Sequence, residues 1–183
     1  MGKGMTATAR GRLTGILAAG AAVAVGLGVY GRLHDPSGRS LVTLFFTKTI
    51  TLKAWLATAV IVLAILQLLG ALRMWGKLGS GTGPAWIGIA HRFSGTLAFF
   101  LAIPVAYHCL WALGFDSSEP RVLIHSLAGC FFFGAFAAKI LAVRSKRLPS
   151  WTLPVLGGAV FTALVTIWLT SSLWFFSQNG LGL

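Results

Sequence analysis

The chain has 183 residues, 56% of them hydrophobic and only 10% charged. An ordinary soluble domain carries about 25% charged residues, so a soluble globular fold is excluded. The formal charge of +12 would suit a nucleic-acid binder, but the cations stand at the ends of apolar blocks and form no basic stripe among exposed aromatics. Nucleic acid is therefore excluded as a partner, and the lipid bilayer with its anionic headgroups is the expected neighbour.

Five apolar blocks follow one another, each long enough for a bilayer core of about 30 Å. The first covers about 13–30, behind Lys3, Arg10 and Arg12. Cations before an apolar run resemble a signal peptide, but "VGLGVYGRLHD" offers no small-x-small cleavage site, so an uncleaved first membrane helix is expected. The second block spans about 54–72, with a start as early as Leu44 allowed. The third, 85–113, is fed by the Gly/Pro loop "GSGTGPAW", with Pro84 at the helix entrance. The fourth, 122–143, opens after "SSEPR", whose serines, acid and proline suit a helix start. The fifth, 151–176, follows the basic "RSKRLPSW". Trp55, Trp86 and Trp151 lie near block ends, as an aromatic belt requires. The longest connection, 31–53, is too short for a soluble domain. The expected fold class is all-α: one integral membrane domain over 1–183, a bundle of five transmembrane helices. Helices two to five form its cofactor-binding four-helix core, and helix one is peripheral.

Lysines and arginines give the orientation. With the N-terminus in the cytoplasm, Lys3, Arg10, Arg12, Arg73, Lys77, Arg144, Lys146 and Arg147 lie inside; Arg32, Arg39, Lys48, Lys53 and Arg121 lie outside. The excess favours an N-terminus facing the cytoplasm, in a bacterial inner membrane. Asp35, Asp116 and Glu119 then fall outside.

The chemistry-bearing residues are histidines. His108 precedes Gly114 by six residues, and His125 follows Pro120 by five. At 1.5 Å per residue each lies roughly 8–9 Å inside its helix end. Helices three and four run antiparallel, so the two imidazoles sit at matched depth near the outer face. Two axial ligands to one flat cofactor require that placement, and haem iron takes histidine through a neutral ring nitrogen. Helix–helix hydrogen bonding and proton handling are the rival roles. Zinc is disfavoured, because no carboxylate or third clear ligand lies at that depth. Gly129, one turn beyond His125 on the same face, removes a side chain that would collide with a macrocycle. Arg121, Lys53 and Lys48 are candidate partners for propionates. Packed helices sit about 8–10 Å apart, so the two helices must splay or lie diagonally to admit a metal between the rings.

Toward the inner side, "HRFSG" (91–95) repeats the H-x-x-small-Gly form of "HSLAG" (125–129). Three readings of His91 stand open: ligand of a second haem, part of a quinone or headgroup site with Arg92 and Ser94, or plain interfacial placement with Arg92 and Lys139 snorkelling. Lys139 lies fourteen residues from His125, about 21 Å along nearly one face. Cys109 and Cys130 form no CxxC pair and read as small buried hydrophobes. No nucleophile–base pair and no paired carboxylates occur, which argues against hydrolysis.

With these residues in view, the chain resembles the small transmembrane cytochromes b, helical bundles that hold haem b between histidines. "HRFSG" is similar to the HR-x-S-G stretch of the succinate dehydrogenase cytochrome b membrane anchor. That resemblance implies a quinone pocket lined by Arg92 and Ser94. Only three histidines lie in helices, fewer than the four of a full two-haem set. The pattern also suits a bacterial family of five-helix membrane proteins with a cytochrome-like core. The function expected is a haem b protein carrying single electrons between membrane quinol or quinone and a redox partner, as an oxidoreductase or as an electron-transfer subunit of a larger membrane complex. A haem-free accessory or assembly subunit, or a small proton or ion transporter, is the alternative.

Overall fold

The computed structural model describes residues 7–39, 43–81 and 83–181; Lys3 and Thr82 lie outside them. Every regular element in the described residues is helical: α1 (Ala7–Leu33), α2 (Thr49–Met74), α3 (Trp86–His108), α4 (Pro120–Arg144), α5 (Thr152–Trp168) and α6 (Trp174–Asn179). A π-helical turn, Cys109–Leu113, extends α3, and a second, Leu169–Leu173, joins α5 to α6. Five helical spans are thus long and apolar enough to cross a membrane, the fifth running from Thr152 to Asn179. The protein is a multi-pass membrane protein. Helix is the economical state because lipid offers the backbone no hydrogen-bond partners.

Local chemistry sets the helix ends. α2 stops in a Schellman motif: Gly76 adopts φ +65°, its N–H reaches Arg73 O, and Lys77 N–H reaches Leu72 O at 2.8 Å. Glu119 is extended and Pro120 occupies the first turn of α4, where a missing N–H costs nothing. Gly114 ends the π-turn at φ 71°, ψ −171°, a region essentially reserved for glycine. Leu44, allowed as an early start of the second helix, lies ahead of α2 with φ +48°.

The chain divides into two compact units. The first holds α1, α4 and α5 up to Ile167; the second holds Pro36–Gly114 and the chain from Trp168 onward.

In the first unit, α1 buries Ala9, Leu13, Ile16 and Gly20, spaced at helical intervals on one face. α4 buries Gly134, Ala138 and Ala142 at four-residue spacing, together with Phe132 and Ala135. A Cβ added to Gly20 would lie 2.7 Å from Gly134 O, and one added to Gly134 would lie 2.5 Å from Gly20 O. The two backbones therefore touch, as in small-xxx-small seams of membrane helices. Ile16, Ala138, Ala142 and Leu156 form one apolar cluster; Phe132, Ala135, Val160 and Ala163 form another. The first helix, expected at the periphery, is thus a packed member of its unit. Arg12 donates to Lys146 O at 3.0 Å at one end of the unit. At the other end Phe115 N–H reaches Gly31 O at 2.7 Å.

In the second unit, α2 packs on α3. Gly70 faces His91 and Gly95 faces Gln67, so glycine makes room for a larger polar neighbour at both points. Trp168 Nε1 donates to Thr58 Oγ1 (3.0 Å), which donates to Ala54 O (2.8 Å). Trp55 Nε1 reaches Leu181 O at 3.1 Å, with its ring 5.3 Å from that of Phe176. The N–H groups of Ser37 and Gly38 reach Trp111 O and Ala112 O, both at 3.1 Å. Both bonds reach carbonyls in the last residues of the π-turn.

Candidate functional site

His108 is the last α-helical residue of α3, directly before the π-turn. Its side chain is buried, at 8% exposure, and its Nδ1 has no hydrogen-bond partner among the described residues. A buried polar atom without a partner costs roughly 1–3 kcal/mol unless a ligand or water satisfies it. Lys53, near the start of α2, lies within electrostatic range of the ring, and Ala112, one turn on, is buried at 2%. Pro104, inside α3, cannot donate to the carbonyl four residues earlier. The irregular winding itself falls at Cys109–Leu113. π-turns of this kind recur at functional sites.

In the first unit, Arg121, His125 and Gly129 follow one another along the opening turns of α4, all half-buried. A Cβ added to Gly129 would meet nothing within 4 Å, so the space over that turn is open. Arg121 approaches Glu119 at 3.7 Å, with both side chains reachable by solvent, an ion pair worth little. The loop before α4 is ordered by Asp116, whose carboxylate accepts from Ser118 N–H (2.8 Å) and Ser118 Oγ (2.9 Å). The Ser118 backbone N–H first, then its hydroxyl, holds the Asp116 carboxyl below the usual carboxylate range. Ser126 Oγ closes the loop on α4 by donating to Asp116 O at 3.2 Å.

The "HRFSG" residues belong to the second unit. Gln67 Nε2 donates to the carbonyl of His91 and to Ser94 Oγ (2.7 Å), and Ser94 Oγ donates back to Ala90 O at 2.7 Å. The Ser94 hydroxyl is thereby committed to joining α2 and α3. His91 is half-buried and Arg92 exposed. Lys139 is half-buried on α4, in the first unit. The structure brings His108 within electrostatic range of Lys53, ties His91 and Ser94 to Gln67, and aligns Arg121, His125 and Gly129 on α4.

Gln67 is the interhelical polar residue that the histidine pattern does not point to. Its signal was available: a lone amide deep in an apolar run needs a partner on a neighbouring helix. Cys109 and Cys130 are half-buried thiols that form no disulfide among the described residues. No group of three or more His, Cys, Asp or Glu side chains gathers for a metal ion among the described residues.

A family described as of unknown function, DUF6529, matches residues 13–183. The chain belongs to DUF6529. No curated protein and no solved structure matches this DUF6529 member.

Proposed function

We propose that this protein binds haem b through His108 and His125 and passes single electrons between the membrane quinone pool and a redox partner. The reading places it in a bacterial inner membrane with the N-terminus in the cytoplasm. The observation that carries it is the buried His108 imidazole with an unpartnered Nδ1, directly before a π-turn and within electrostatic range of Lys53. His125, at matched distance from its own helix end and one turn before the open space at Gly129, supplies the second ligand.

When bound, haem b supplies the one-electron chemistry. The chain supplies the rest. His108 and His125 would each offer a ring nitrogen to the iron, from spans that are apolar along their length. Lys53 offers a cation to an anionic group beside His108, and Arg121 one beside His125.

A pyridine haem assay on the purified full-length protein, together with a reduced-minus-oxidised spectrum, tests the reading. A sharp α-band and about one haem per chain are expected. His108→Ala and His125→Ala are each expected to abolish the band, whereas His91→Ala leaves it. Full haem retention in both outer variants would reverse the ligand assignment. A colourless protein would favour a haem-free accessory subunit, a reading that has its own support in the Gln67 contacts, which use His91 and Ser94 to hold helices together.

A further inference from the structure

The first unit carries an open groove of about 640 Å³ along α1 and α4, lined by residues that include Ala24, Gly28, Arg32, Leu127, Cys130 and Phe131. Gly28 forms its floor: a Cβ added there would meet only Cys130 Sγ, at 3.7 Å. Arg32, in the last turn of α1, is the one cation among the lining residues. Its guanidinium makes no hydrogen bond or ion pair among the described residues, although Asp116 acts on it through space.

We propose that this groove seats one acyl chain of an anionic phospholipid whose phosphate is held by Arg32. Three features select that occupant. The groove lies on two membrane spans, so what fills it dissolves in the bilayer. It runs from Ala24 to Arg32, about 12 Å along the helix, which suits an extended chain. Its charge stands at one end only, so the occupant is apolar along its length and anionic at its tip; a guanidinium meets phosphate bidentately. A quinone ring is a poorer fit, because the Cys130 thiol, a weak donor, is the one neutral polar side chain among the lining residues. The groove shares no residue with the haem reading and stands whether or not haem binds.

The test uses the full-length protein, delipidated in detergent and titrated with phosphatidylglycerol or phosphatidylcholine under native mass spectrometry. One phosphatidylglycerol is expected to bind in preference to phosphatidylcholine. Arg32→Gln removes a charged hydrogen bond and is expected to weaken phosphatidylglycerol retention about tenfold, with phosphatidylcholine unchanged. Gly28→Leu fills the floor and is expected to expel both. In a Cys109→Ala background, phosphatidylglycerol slows alkylation of Cys130 by a lipid-soluble maleimide, and free glycerol phosphate does not. Equal retention by Arg32→Gln and the unaltered chain, capture of a quinone in place of lipid, or protection of Cys130 by free phosphate would each overturn the proposal. If Gly28→Leu fails to fold, Arg32→Gln and the alkylation rates still decide.

Discussion

In the first unit the backbones of Gly20 and Gly134 meet directly, with Ala24 and Ala138 on either side. In the second, α2 and α3 are joined by an amide: Gln67 reaches a carbonyl and a hydroxyl on the facing helix. Trp168 and Trp55 then attach the end of the fifth span to α2 by indole hydrogen bonds. Lipid removes the hydrophobic drive that pairs helices in water, leaving close packing and polar contacts. The first unit relies on packing, and the second adds polar contacts. A seam of touching backbones tolerates no added atom. A seam of hydrogen bonds tolerates changes of shape but not loss of a donor.

Enlarging a seam glycine should therefore do the most damage. Gly134→Val is expected to destabilise the protein by about 1–3 kcal/mol or more, because backbone atoms of α1 stand where the new side chain must go. The midpoint of denaturation in mixed detergent measures this. Gly157→Ala is the control on α5: nothing lies within 4 Å of its added Cβ, so it should gain up to about 1 kcal/mol from helix propensity. Equal losses in the two variants would contradict the touching-backbone account. The next effect belongs to the second unit. Gln67→Leu removes both amide contacts and is expected to cost about 1–2 kcal/mol, while Gly134→Val leaves those contacts untouched.

Smaller still is Thr58→Val, which takes the acceptor from Trp168 Nε1; about 0.6 kcal/mol is the usual worth of such a bond. The shift of Trp fluorescence in the variant reports the freed indole. The smallest effect concerns the loop before α4. The Asp116 carboxyl titrates below its ordinary range in the folded chain. Its contribution is therefore fully present above the unfolded value and is lost as pH falls through the folded one. Asp116→Asn should flatten that acid-side loss, read from amide exchange at Ser118 against pH, without altering stability at neutral pH by a measurable amount.

The five spans and their turns were legible because length, apolar runs and Gly/Pro punctuation act locally. Pro120 and the cations after α4 mark their boundaries in one dimension. The pairing of α1 with α4 was not legible. Gly20, Ala24, Gly134 and Ala138 stand among many glycines and alanines in apolar runs, and only the facing backbone distinguishes a seam glycine from Gly129 or Gly157. That is why the first helix reads as peripheral in the sequence and as a packed partner in the fold. Of the candidate site, the positions of His108 and His125 relative to their helix ends could be counted from residues. The burial of His108, the π-turn after it and the use of Ser94 by Gln67 depend on tertiary neighbours and could not.

The wide turn at Cys109–Leu113 has an evolutionary corollary. A π-turn is what an α-helix keeps when it absorbs one surplus residue without breaking. A DUF6529 chain shorter by a single residue between His108 and Gly114 could present an unbroken α-helix to the same Gly114 corner. Each α-helical residue advances the winding by about 100°, so a histidine upstream of that deletion would point elsewhere. Insertions and deletions in this five-residue window, more than substitutions, would then separate family members that keep the His108 orientation from those that have lost it.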